Sequence, residues 1–172
     1  MHTPYENESA PFYHGYINQV SEITIADALR SSRDEVKAFL EALTPEQWAF
    51  RYAPEKWSLK EMWVHVVDTE RVMAYRALRV ARGDQTALPG FDENAFAAES
   101  FGDSRSSESI LEAYLAQRAS TLLMFQHMDE SAYTRMGTAS GHPVSVRALA
   151  YIISGHERHH LLVARNRYIS QF

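Results

Sequence analysis

Near the end of this 172-residue chain stands the run His156-Glu157-Arg158-His159-His160. On a helix, residues four apart lie one above the other on the same face. That is the separation at which two imidazoles can hold one metal ion. His156 and His160 fall in the apolar stripe of Leu149 and Ile153, so they are expected to face inward. His65, far upstream, shares a second helical stripe with Met62, Val66 and Thr69 and should face inward too. Three imidazoles from two facing helices can bind a divalent ion and leave positions open for water or substrate, the layout of a catalytic site. The plainer alternative is a set of core histidines satisfied by backbone groups or carboxylates. A lone inward histidine is best read that way; an i,i+4 pair with a third inward histidine favours metal.

Four other residues are candidates for the surroundings. Glu157 is one residue past a ligand, about 100° around the helix. It is taken as the catalytic general base, with a salt-bridged helix residue as the alternative. His159 is rotated off the ligand stripe, towards a pocket mouth or a subunit interface. Asp68, three residues after His65, shares its side of the helix and could accept its second ring N–H, with Glu70 the alternative. Arg118 interrupts a stripe between Leu115 and Leu122 and needs a partner, because an unpaired buried charge is costly. That partner is either an anionic substrate group or a structural glutamate. Tyr75, Arg76 and Phe91 are further pocket candidates.

Four helical segments would carry these residues. The first spans about Thr24 to Leu43, with Thr24 and Asp27 at its start. The second begins at the capping box Ser58-Leu59-Lys60-Glu61 and runs towards Arg82-Gly83. The third starts at Ser106 or Ser107 and ends near Met128. The fourth follows Gly141-His142-Pro143, with Ser145 as its cap. Strand signals are weak and no Asn-Gly hairpin is seen. Four helices of this length predict an all-α four-helix bundle. The Gly83–Arg105 connection between helices two and three is long enough to act as a lid. Trp48 and Trp57, in the Thr44–Trp57 connection, should staple helix ends to the core.

The whole chain, 1–172, reads as one helical domain with residues 1–20 as an N-terminal extension. A net charge of −5 without a Lys/Arg cluster argues against a nucleic-acid surface. No apolar run is long enough to span a bilayer. There is no cysteine, hence no disulfide, no thiolate ligand and no cysteine nucleophile. A cytoplasmic location is expected.

The run also fits His-Glu-x-x-His, the zinc-peptidase signature. No His, Asp or Glu follows His160 to supply a downstream ligand, and Val163 stands where the extended motif needs glycine. The arrangement resembles something else. Trp57-Ser58-Leu59-Lys60-Glu61, His65 and Asp68-Thr69-Glu70-Arg71, together with Ser154-Gly155-His156-Glu157-Arg158-His159-His160, resemble the second- and fourth-helix signatures of the DinB-like superfamily. The likeness runs from about Ile25 to Tyr168. It implies a DinB/YfiT-like bundle forming a homodimer, with a metal triad mapping onto His65, His156 and His160. It also implies thiol-dependent transfer or metal-dependent hydrolysis of a small-molecule substrate. The divalent ion expected is zinc or nickel, since imidazoles accept either. Any thiol chemistry would need a low-molecular-weight thiol as cosubstrate. The rival function is a non-catalytic bundle that binds a partner or small ligand.

Overall fold

The computed structural model describes residues 3–22 and 24–172. Its elements, in chain order, are α1 (His14–Ile17), α2 (Ile25–Glu41), α3 (Pro45–Ala49), α4 (Leu59–Ala81), α5 (Glu93–Ala98), α6 (Ser107–Gln126), β1 (Met136–Ala139), β2 (His142–Ser145) and α7 (Val146–Val163). The long helices start where the side chains dictate. Thr24, Ser58, Ser106 and Ser145 each accept a hydrogen bond from the backbone N–H three residues on. Each thereby satisfies one of the donors a helix leaves unpaired at its start. Ser58 and Glu61 form the reciprocal box.

Helices α2, α4, α6 and α7 make the bundle. Two apolar clusters fill it, one around Leu29, Met73, Phe125 and Ile153, the other around Val36, Trp63, Tyr114 and Leu161. On every helix a buried polar step separates the clusters: Ser32 on α2, Thr69 and Glu70 on α4, Arg118 and Thr121 on α6, His156 and Glu157 on α7. Helices α2 and α7 pass from the first cluster into the second, and α4 and α6 pass the opposite way. Around the ring the order is α2, α6, α4, α7, so α2 and α4 face each other across the diagonal. Helices that follow one another in sequence therefore need long connections. One of these carries α3, which opens with a Thr44–Gln47 capping box.

Strands β1 and β2 pair antiparallel, an element the residue pattern did not predict. Each is only four residues long, and Gly137 and Pro143 weaken the strand signal. The turn residues Ser140 and Gly141 both have positive φ, 52° and 79°. Two such residues make the two-residue turn that matches strand twist, with Ser-Gly serving in place of Asn-Gly. The hairpin lies tight on α4: a Cβ at Gly137 would stand 2.5 Å from a Val80 methyl. Leu88, in the long connection, pairs with the hairpin through Leu88 N–H to Thr138 O (2.9 Å) and Ser140 N–H to Leu88 O (3.0 Å). The connection is thus partly ordered by α5 and by this bridge.

The N-terminal segment packs onto α7. Helix α7 is buried on all sides from Val146 to Glu157, more than the single stripe expected of an amphipathic helix. The covering layer is α1. At Gly155 the backbone of Tyr16 comes so close that an added Cβ would lie 1.9 Å from its carbonyl oxygen. Two ion pairs clamp the segment: Glu8 accepts from Arg147 and Ser145, and Glu22 accepts from Arg158. Burial works against both carboxylates, but the arginine hydrogen bonds outweigh it and hold each below its ordinary 4.5.

Gly155→Ala is expected to push Tyr16 off α7, at a cost of about 1–3 kcal/mol, the usual range for overpacking. Thermal melting and proteolysis within residues 3–22 would register it. Gly15→Ala, with nothing within 4 Å of its Cβ, should be silent. The lowered carboxylates set an acid limit as well. Their stabilisation is complete above about pH 4.5 and is lost as pH falls through the lowered values. Between those limits, tyrosine fluorescence or segment proteolysis should show the N-terminal layer releasing in wild type. A Glu8→Gln, Glu22→Gln double variant should show a weaker layer at neutral pH and little further change in acid.

Candidate metal centre

His65 comes from α4; His156 and His160 lie one turn apart on α7. Their ligand-capable nitrogens all fall within 4.8 Å of one another. His156 Nε2 stands 3.1 Å from His65 Nε2 and 3.1 Å from His160 Nε2. A neutral imidazole nitrogen has one in-plane site, either a hydrogen or a lone pair. One nitrogen therefore cannot make two good hydrogen bonds to two others of its kind. A cation accepting all three lone pairs removes the conflict. Bonds of about 2.0–2.1 Å at a tetrahedral angle would put ligand nitrogens about 3.3 Å apart, close to what is seen. The donor set thus fits a divalent ion.

Burial keeps the three rings neutral. It lowers His65 to about 4 and pushes His156 and His160 well below 6.5, the neighbouring imidazoles adding to the effect at the latter two. Lone pairs are therefore free at neutral pH. The rings are held by aromatics. Trp57 packs on His65 at 4.8 Å between centroids, and Tyr16 meets His156 edge-on at 5.3 Å. His160 Nδ1 is buried with no partner among the described residues.

The cluster opens on a cavity of about 470 Å³, within the range of small-molecule sites. Helix α4 contributes Thr69 and Met73 below His65, and α7 contributes Ile152. Phe12, Tyr13 and Tyr16 come from the N-terminal segment, Phe91 and Glu93 from the long connection, and Ser140 from the hairpin turn. Most of these walls lay outside the residue reading. Gly155 next to His156 was the usable signal for the N-terminal wall, since a glycine inside a helix often marks close approach of another backbone.

The surrounding candidates are distributed differently. Glu157 is 1% exposed and gives both oxygens to Arg118, at 2.9 and 2.7 Å. It does not line the cavity. With both oxygens held by Arg118 and no face on the cavity, it is not placed to reach a molecule bound beside the histidines. Arg118, fully buried, also binds Glu70 (2.8 Å), Leu29 O and Ser32 Oγ (3.1 Å each). Of the two partners considered for Arg118, the structural glutamate is the one found. Burial disfavours its charge, but the two facing carboxylates outweigh this and keep the guanidinium ionised. Asp68 makes its ion pair with Arg71 at 2.9 Å, not with His65. Glu70, the other candidate acceptor, is taken by Arg118. His159 packs edge-on to Tyr16 and His160 and lines an adjoining cleft with Lys56 and Arg167, which shares Trp57 and His160 with the cavity. Tyr75 is exposed, whereas Arg76 is buried behind Phe91 and donates to Pro89 O and Ser140 Oγ.

The sequence matches the family model of the DinB superfamily over residues 28–164. No curated protein matches it. Among solved structures, YfiT from Bacillus subtilis is similar, with a TM-score of 0.74 over 99% of this chain and 93% of its own. It is described as a probable metal-dependent hydrolase with an unusual four-helix bundle topology. At 13% identity the likeness speaks for the fold alone.

Arg118→Met should cost on the order of 3–5 kcal/mol in urea unfolding, since two buried carboxylates lose their partner. Glu157→Gln keeps the shape and should cost less, about 1–3 kcal/mol. Wild-type stability in the methionine variant would mean that Glu70 and Glu157 have other support.

Proposed function

The chain belongs to the DinB superfamily, and from that membership and the three converging imidazoles we propose a metal-dependent enzyme that acts on a small molecule, with His65, His156 and His160 as ligands to one divalent ion. The observation that carries this reading is His156 Nε2, 3.1 Å from two other imidazole nitrogens. Zinc and nickel are the first ions to try, since imidazole ligands accept both. Such an ion supplies Lewis acidity that lowers the pKa of a bound water or thiol.

The protein's part is orientation and exclusion of water. Trp57 and Tyr16 cover His65 and His156, fixing the rings and drying their outer faces. The neutral ligands leave the ion's charge undiminished. Thr69, one turn after His65, keeps a buried hydroxyl without a partner among the described residues and can hydrogen-bond a molecule in the cavity. Hydrolysis is the first reaction to test, in line with the description of the similar YfiT fold. Thiol transfer is the second, and the absence of cysteine means that its thiol would arrive with a cosubstrate.

Mass-spectrometric metal analysis of untagged protein after zinc or nickel reloading should find about one equivalent in wild type. His65→Ala and His160→Ala should lose it. The loaded protein should then cleave chromogenic ester or amide probes, or add a small thiol to a chromogenic electrophile, and a chelator should stop it. Failure of the wild type to take up metal would sink the enzyme reading and favour a bundle that binds a partner.

A further inference from the structure

Five aromatic rings, those of Phe12, Tyr13, Tyr16, Trp57 and Phe91, line the cavity beside the histidines. One carboxylate lines it with them: Glu93, exposed and therefore at the mouth. Its side chain has no hydrogen bond or ion pair among the described residues. Four nearby carboxylates are committed. Glu70 and Glu157 bind Arg118, Asp68 binds Arg71, and Asp92 caps α5. The unpartnered Thr69 hydroxyl, on a residue only 4% exposed, adds a polar point on the inner wall.

We infer that this cleft binds a small molecule bearing an organic ammonium group, held between the Glu93 carboxylate and the aromatic faces. Ring faces carry negative charge density, and a cation seated over them beside a carboxylate gains from both. Three neutral imidazoles do not cancel this preference, whereas a divalent ion held by them would work against it, so the preference should be stronger in metal-free than in zinc-loaded protein. The protein's own opposing group is Arg76, a buried cation with no carboxylate partner among the described residues, stacked at 5.9 Å on the ring of Phe91. Its guanidinium is occupied by Pro89 O and Ser140 Oγ, and it does not itself line the cavity. The inference rests on the reading of this cleft as the substrate site. It does not rest on the metal.

Three probes of similar size separate the possibilities: benzyltrimethylammonium, benzyl alcohol and benzoate. The quaternary ion has no lone pair, so it cannot ligate a metal. Its binding is measured by calorimetry on metal-free and zinc-loaded protein, so a failed metal reading and a failed ammonium reading are told apart. The expected result is roughly tenfold or more tighter binding of the ammonium than of the alcohol, in line with a desolvated cation–π contact. Glu93→Gln should level the two, and Glu93→Asp should restore part of the difference. Phe91→Leu should weaken the ammonium several-fold. Melting curves would verify that each variant is folded. Equal affinities, no binding of the ammonium, or a preference unchanged in Glu93→Gln would overturn the inference. Tighter binding of benzoate would overturn it too and transfer the selectivity to Arg76.

Discussion

One guanidinium ties the four long helices together. Arg118 of α6 binds Leu29 O and Ser32 on α2, Glu70 on α4 and Glu157 on α7. Such a group is tolerated in a core only when every charge has a partner, and that requirement fixes the rotation of each helix about its axis. Glu70 is five residues after His65 and Glu157 one residue after His156. Locking the glutamates towards α6 and α2 turns the histidines the other way, into the cavity. The polar layer thus acts as a rotational key. Apolar contacts alone, which tolerate sliding and repacking, would specify the register less tightly.

That key explains why part of the site was legible in the residues and part was not. The three histidines stood out because inward stripes and i,i+4 spacing are local properties of a helix. Arg118 stood out for the same reason, as a charge inside an apolar stripe. The residues could not decide between the two readings of Glu157, because proximity to His156 in sequence says nothing of which way 100° of rotation points. The answer came from Arg118, 39 residues away. Asp68 shows the same limit: a side shared with His65 leaves it free to prefer Arg71. The four helix starts were readable from Thr24, Ser58, Ser106 and Ser145, since caps are local. The hairpin was hidden by strands of four residues containing glycine and proline. The N-terminal layer was hidden because Phe12, Tyr13 and Tyr16 carry no pattern of their own; only the glycine opposite them marks the contact.

The cavity is therefore a composite. Helices α4 and α7 supply the imidazoles and the inner wall, and the N-terminal segment, the long connection and the hairpin turn supply much of the rest. This division suits a scaffold in which the reactive centre stays fixed while selectivity is set elsewhere. Ser140 illustrates the coupling. Its left-handed turn places a hydroxyl against Arg76, and Leu88 bonds to the same hairpin, so the connection bearing Phe91 and Glu93 is anchored near the site.

The contact between the N-terminal layer and α7 also orders the assembly of the molecule in time. The bonds from Ser145 and Arg147 to Glu8 span 137 and 139 residues. A contact of that separation closes nearly the whole chain into a loop, and loop closure is slow relative to pairing of near neighbours. During synthesis the aromatic wall emerges first and must wait for the last helix before it has anything to cover. The bundle waits for that helix too: Arg158 of α7 reaches Ala28 O of α2 across 130 residues, and the Arg118 key is incomplete without Glu157. Core and cleft are thus closed by the same last helix.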